Sequence, residues 1–354
     1  MTISVLISSS GFILVLAAIW DYIIGDPRSW IHPVQVMGWI IQNYTQLVLR
    51  LISSNLLRRL AGIILGLGLI LGSSAAGWWI VQITTHIRFG LGIVSQVLLL
   101  ASCFAGKSLR VAVEDVLKPL LSSDIATARS KLSMYVGRDT EQLNQEEILR
   151  AVLETVGENA VDGVTAPLFY AIVGSFIPGL GAVPLALGYK AASTLDSMIG
   201  YRKEPYRDLG WFSAQLEDRL TWLPCRLTVL TLALFSGKPR QVLAICRRDG
   251  VLDPSPNSGW SESVYAAILG VQLGGVNIYG GVVREKPLLG NRDRAITPEI
   301  IQQALKLTRY CFLSWLAIAL SVTIMILSYE DLVKIDTYVI LLKGIILSSV
   351  LSKL

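Results

Sequence analysis

The chain has 354 residues, 53% of them hydrophobic and only 16% charged, with a formal net charge of +5. That balance excludes an ordinary soluble domain and points to an integral membrane protein. The modest positive charge, without a basic block, suits loops near anionic lipid or an anionic substrate and argues against nucleic acid as a partner.

Residues 1–20 are apolar, with no positive region ahead of them and no small-residue cleavage site after them, so they are expected to form an uncleaved first span. The first basic residues are Arg28, Arg50, Arg58 and Arg59. The positive-inside rule therefore places the N-terminus outside and residues 21–59 in the cytoplasm. Within that loop Asp21 to Arg28 reads as a turn at the membrane surface, followed by His32-Pro33. Residues 60–83 form the second span, where Gly62/Gly66 and Gly68/Gly72 fit the small-xxx-small pattern of close helix packing. Residues 89–105 form the third. Residues 106–159 are polar with helical periodicity, apolar at Leu109, Val113, Val116 and Leu117, then at Leu143, Ile148, Val152 and Leu153. Between the two halves, Gly137-Arg138-Asp139-Thr140 reads as a turn and N-cap, and its guanidinium also suits a phosphate or carboxylate.

The stretch from Glu154 to Tyr201 organises the rest. In a helix Glu154, Glu158 and Asp162 fall at i, i+4 and i+8, so three carboxylates share one stripe. Like charges at that spacing repel, and a hard cation such as Mg²⁺ is the usual answer; a solvated helix face near the membrane is the plainer alternative. The stripe runs into apolar residues 164–187, broken by Ile177-Pro178-Gly179-Leu180-Gly181, a pattern expected of re-entrant half-helices lining a polar cavity. Residues 190–221 are then a cytoplasmic loop, and 222–235 an apolar piece too short to cross. Residues 236–309 form the most basic loop. It contains Arg247-Arg248-Asp249, the tight turn Ser255-Pro256-Asn257-Ser258-Gly259, suited to oxyanions but also common in inert loops, and Leu273-Gly274-Gly275. Residues 311–327 and 337–351 are expected to be the last spans. The whole reads as one all-α, polytopic membrane domain with helical cytoplasmic loops, a re-entrant segment and about five to seven crossings. Four scattered cysteines and two histidines give neither a disulfide framework nor a metal cluster. No Walker A sequence or dinucleotide fingerprint is present.

Taken in order, these motifs resemble the CobD/CbiB family, the adenosylcobinamide-phosphate synthases of cobalamin biosynthesis. The resemblance is carried by Asp21…Gly25-Asp26-Pro27…His32-Pro33, by Gly137 to Thr140, by Glu154 to Phe169 with Glu158-Asn159 and Asp162-Gly163, by Thr194-Leu195-Asp196-Ser197-Met198…Gly200-Tyr201, by Ser255 to Gly259, and by Leu273-Gly274-Gly275…Tyr279-Gly280. The chain departs from the family pattern at four positions. Ser193 replaces Asn, Asp253 replaces His, and Glu217 and Thr221 replace Asp and Asn. The resemblance implies an amide ligation in which a carboxylate of the corrinoid adenosylcobyric acid joins the amine of aminopropanol, or its phosphate, with ATP as substrate and Mg²⁺ as cofactor. Glu158 and Asp162, helped by Glu154 or Asp196, are then the candidate metal ligands. Asn159, Asp196 and Asn257 complete the candidate catalytic set. Asp26, Arg138, Asp139, Lys190, Tyr201, Arg248, Ser255, Gly274 and Gly275 are candidates for binding substrate or phosphate. The implied setting is the inner or plasma membrane with a cytoplasmic active site. The implied partners are lipid, corrinoid and amino alcohol, and association with other membrane enzymes of cobalamin assembly is also implied. Two other classes use similar sequence features: an ion-coupled transporter of an anionic or corrinoid substrate, and a non-catalytic AmpE-like membrane sensor.

Overall fold

A computed structural model of the protein describes residues 10–25 and 32–351, with side chains through residue 329. It is helical almost throughout, and among the described residues three stretches are long and apolar enough to cross a membrane: Asn55–Ile87, Phe89–Leu121 and Pro298–Tyr329.

Helix α1, Ser10–Ile23, buries Ile13, Leu14, Ala17 and Ala18. Lys107 closes its C-terminus by donating to the carbonyls of Ile23 and Ile24, both at 2.8 Å, where a cation also meets the negative end of the helix dipole. The expected loop at 21–59 is largely a helix, α2, Pro33–Leu51. His32-Pro33 starts it: His32 Nδ1 accepts from the Val34 N–H at 3.2 Å, and proline suits a first turn whose N–H groups have no partner.

Helix α3, Asn55–Ile87, runs 33 residues, about 50 Å at 1.5 Å per residue, longer than the hydrocarbon layer it crosses. Only half of its glycine pattern is packing. A Cβ at Gly62 would sit 2.0 Å from the Leu209 carbonyl oxygen, so the chain at Leu209 can approach only because that side chain is missing. Gly68 and Gly72 face open space, contrary to the close approach expected of them. Helix α4, Phe89–Ala101, returns alongside α3 and leads through a short turn into α5, Gly106–Leu121. The buried face of α5, Leu109, Val113, Val116, Leu117 and Leu120, has the expected helical period.

After α6, Ile125–Leu132, the N-cap falls later than expected. It is Asn144, not the Gly137–Thr140 turn, and it forms a reciprocal capping box with Glu147 that starts α7, Gln145–Asn159. A π-helical turn, Ala160–Thr165, joins α7 to α8, Ala166–Ser175. The chain then turns back at Gly179 and Gly181, both with positive φ, into α9, Ala182–Ile199, which packs along α8. This helical hairpin occupies the segment expected to be broken. Residues 211–235 are a single helix, α10, Trp211–Phe235, where a loop followed by a short apolar piece was expected. Its Thr228 hydroxyl meets that of Thr165 at 2.7 Å, a buried polar tie between helices.

The basic region holds α11, Pro239–Asp249, and α12, Ser258–Leu269, followed by two strands that an all-α reading does not contain. β1, Leu273–Tyr279, pairs antiparallel with β2, Val282–Leu289, through the two-residue turn Gly280-Gly281. Both turn glycines have positive φ, +58° and +76°, as a type I′ hairpin demands. Helix α13, Pro298–Leu351, is continuous, so the separate last span expected at 337–351 is an extension of the helix that holds 311–327. All four cysteines are buried and none is in a disulfide.

Candidate functional site: an acidic cluster under a hairpin

The three-carboxylate stripe is divided between two environments. Glu154, 2% exposed, is taken up by protein: it pairs with Arg138 and accepts the Gly274 N–H at 2.9 Å. Arg138, itself buried, also donates to Asn277 Oδ1 at 2.7 Å. Arg150 donates to the carbonyls of Gly274 and Val276. Asp139 accepts the N–H groups of Gly280 and Gly281 at 2.9 and 2.8 Å, and those two bonds hold its carboxyl below the usual carboxylate range. Arg138, Asp139, Glu154, Gly274 and Gly275, all expected to bind substrate or catalyse, thus clamp the β-hairpin onto the α6–α7 connection. The bulge between Leu273 and Gly275 makes this possible. A Cβ at Gly274 would lie 2.0 Å from the Pro287 carbonyl oxygen, and its φ is +84°.

Beneath the hairpin the next two carboxylates belong to an acidic cluster with Asp196 and Glu217. Glu158 is accessible to solvent yet ringed by protein. Burial raises its pKa, the approach of Asp253 and Glu154 adds to the rise, and Lys286 opposes it. Asp162 is raised by burial and by Glu217, Glu158 and Asp196, with Lys190 opposing. Burial pushes Asp196 up to about 6, helped by Asp218 and Glu158. Burial likewise pushes Glu217 up to about 7, with the Thr221 hydroxyl bond opposing and Asp196 and Asp218 adding to the rise. Thr221 donates that bond to Glu217 and meets the Tyr189 hydroxyl at 2.9 Å. The two departures from the family pattern on α10 are therefore direct partners one helical turn apart. These groups lie outside the three spanning stretches.

Sequence reasoning missed two of the most telling residues. Glu262 on α12 is fully buried, and neither carboxylate oxygen has a hydrogen-bond partner; Lys286 Nζ on β2 lies 3.5 Å away. Burial pulls the Lys286 pKa down, but Glu262, Glu158, Glu154 and Asp253 together lift it above the ordinary lysine range. Lys286 pairs across the strands with Gly275, which has no side chain. The signal for it was the Gly280-Gly281 turn between two apolar runs, which fixes the strands and hence the lysine's register.

The remaining expected residues scatter around this cluster. Asn257 is buried, donates to the Asp218 carbonyl at 2.8 Å, and keeps a buried Oδ1 without a partner. Ser255 Oγ accepts from the N–H groups of Asn257 and Ser258, at 3.3 and 3.2 Å. Asp253 Oδ1 accepts from the Ser255 N–H at 2.8 Å, so both residues brace the Ser-Pro-Asn turn. Asn159 is exposed and bonded to the Thr155 carbonyl, and Tyr201 is exposed and bonded to that of Ser197. Arg248 is not brought to the cluster: it forks onto Asp249, which in turn holds the Gly290 N–H. Asp26 lies outside the described residues.

Among the described residues no three His, Cys, Asp or Glu side chains gather closely enough to enclose a metal ion. The cluster's donors are nonetheless hard carboxylate oxygens in excess of their cations. That set fits Mg²⁺, which binds through one or two carboxylates and keeps water and phosphate as its other ligands.

A family model described as CobD/Cbib protein matches residues 14–308, which takes in the hairpin, the clamp and every carboxylate of the cluster. The chain belongs to the CobD/CbiB family. It is 54% identical over 310 residues to the cobalamin biosynthesis protein CobD of Synechocystis sp., covering 88% of this chain and 91% of that protein. It is 40% identical over 308 residues to the CobD of Halalkalibacterium halodurans, covering 86% and 93%. To the cobalamin biosynthesis protein CbiB of Salmonella typhimurium it is 38% identical over 315 residues, covering 88% and 95%. No solved structure matches the chain. The CobD/CbiB relatives are named for cobalamin biosynthesis, and the match spans nearly their full length.

Proposed function

We propose that the protein acts in cobalamin biosynthesis as an ATP-dependent amide ligase, joining a carboxylate of adenosylcobyric acid to the amine of aminopropanol or aminopropanol phosphate. The observation that supports this most is the cluster of Glu158, Asp162, Asp196 and Glu217, with Lys190 and Lys286 close by, in a chain of this family. A corrinoid carboxylate oxygen attacks the γ-phosphorus of ATP, the bond to ADP breaks, and an acyl phosphate results. The amine nitrogen then attacks the acyl carbon, the C–N bond forms, and phosphate leaves with its oxygen. An ammonium must first lose a proton. Asp196 and Glu217, with pKa values near the working pH, suit its capture and then its deprotonation. Lys286 remains a cation and can balance a phosphate or carboxylate. Glu158 and Asp162 would hold Mg²⁺, which when bound supplies neutralisation of phosphate charge. The active site is proposed to face the cytoplasm, where ATP is.

The test uses purified full-length protein with adenosylcobyric acid, either amine, ATP and Mg²⁺, followed by mass spectrometry of the corrinoid and measurement of ADP. One ADP per amide is expected. Absence of any amide with both amines, in protein that retains its thermal transition, would overturn the reading.

A further inference from the structure

A cavity of about 440 Å³ lies between α1, α5 and α13 and reaches Val164 of the π turn. Its walls are apolar: Val15 and Ile19 come from α1, Leu313 and Leu316 from α13. Three cations line it, Arg110, Lys306 and Arg309. Tyr22 organises two of them. The guanidinium carbons of Arg110 and Arg309 lie 4.6 and 4.1 Å from its ring centroid. Arg309 also donates to its hydroxyl at 2.8 Å and Arg110 to its carbonyl at 3.2 Å. Two guanidiniums on one ring repel each other, and the negative charge nearby is thin. Glu114 stands 3.9 Å from Arg110 on an exposed surface, and among the described residues Asp21 is the one carboxylate lining the cavity. Lys306 is exposed and has no ion-pair partner among the described residues.

Position adds direction to this charge. Val15 precedes Tyr22 by seven residues, about 10 Å along a helix, so the cations sit at one end of α1 and the trough runs away from them. The trough follows α13, whose stretch through Tyr329 is apolar enough to cross the membrane. A soluble anion would satisfy the cations and leave that trough uncovered. An amphiphile matches both ends, and basic pockets between membrane helices are the usual sites for anionic headgroups. The volume is within the range of specific ligand pockets.

We propose that this groove binds one anionic phospholipid, its phosphate among Arg110, Lys306 and Arg309 and one acyl chain laid between α1 and α13. The full-length protein is placed in nanodiscs of phosphatidylcholine doped with phosphatidylglycerol, and retained lipid is counted by native mass spectrometry. Wild type is expected to keep one phosphatidylglycerol per chain in preference to phosphatidylcholine. Lys306→Gln and Arg110→Gln should each weaken retention about fivefold, from about 1 kcal/mol per basic residue near anionic lipid. Ile19→Trp, at an exposed position, should fill the trough and lower retention without any change of charge. Equal retention of the two lipids by wild type overturns the proposal. So does phosphatidylglycerol retention unchanged in the Lys306→Gln/Arg110→Gln double variant. Glycerol phosphate held alike by wild type and Ile19→Trp would show a soluble-anion site and would also overturn it.

Discussion

Replacing Glu154 by alanine separates anchoring from chemistry. The carboxylate has two partners, the Arg138 guanidinium and the Gly274 N–H, and all three lie at the hairpin's base. Its loss strands a guanidinium that is only 8% exposed. Breaking a buried pair in this way costs about 3–5 kcal/mol. The freed Gly274 N–H costs about 1–3 kcal/mol more if taken alone. The two penalties share one network and do not add, and Arg138 keeps its 2.7 Å bond to Asn277. A net loss of about 3 kcal/mol is therefore expected, concentrated on local opening of the hairpin. Backbone amides of β1 and β2 should exchange hydrogen on the order of a hundredfold faster, at about 1.4 kcal/mol per decade. Hydrogen-exchange mass spectrometry of the detergent-solubilised chain reads this directly, with the amides of α3 as the unchanged reference. Replacing both Arg138 and Glu154 by methionine should recover part of the protection. If hairpin exchange in Glu154→Ala stays at the wild-type rate while amide formation is lost, the anchoring argument fails and Glu154 belongs to the chemistry.

Glu158→Gln and Asp162→Asn should each lower amide formation by about a hundredfold or more while extraction yield and thermal transition hold; near-normal turnover of both at limiting Mg²⁺ would remove them from the cation site. Asp196 and Glu217 hold protons up to about 6 and about 7, whereas in the unfolded chain they release them near 3.8 and 4.5. The folded state therefore binds more protons across that window, so these two groups make stability fall as pH rises through it, while a rate that needs them ionised climbs. Thermal unfolding and initial rates recorded across the window should move in opposite directions, and a rate that falls between about pH 6 and 7 would contradict the base assignment. Asp253→Asn keeps the Oδ1 acceptor for the Ser255 N–H and should stay within about tenfold of wild-type turnover. Asn257→Ala removes the tie to the Asp218 carbonyl and the unpartnered Oδ1 together, and should cost about a hundredfold. The reverse ranking in steady-state kinetics would make Asp253 the working residue.

Period-based signals survived into the structure where one residue face decides the element. The buried face of α5 and the long apolar helix α3 were legible for that reason. The family was legible because its motifs keep their order along the chain. What failed was partner choice. Arg138 and Glu154 carry the residue types of a binding site, yet each satisfies the other, and nothing local in sequence tells a guanidinium which carboxylate it will meet 16 positions away. Lys286 was hidden because its importance depends on strand register, and Glu262 because an acid on a mostly small and apolar helix looks like a surface residue until the helix is packed. The first half of α10 read as a loop, since membrane hydropathy separates apolar from polar stretches better than it separates helix from coil, and the amphipathic α2 was assigned to a loop from the basic residues around it.

The π-helical turn at Ala160–Thr165 makes chain length itself a functional variable. An α-helix advances about 100° per residue, and a π turn absorbs one extra residue between the regular segments on either side. Asp162 sits inside that swivel, with Glu158 before it and the returning hairpin after it. A side-chain exchange at Ala160 or Val161 alters volume but leaves the count intact. Removal of a single residue there lets α7 and α8 merge into one regular rod. Because the wide turn had absorbed that residue, α8 keeps its phase relative to α7, and the change falls on the turn itself, where Asp162 is re-aimed. The segment is thus less tolerant of a one-codon deletion than of substitution, because the placement of Asp162 is set by how many residues the turn has.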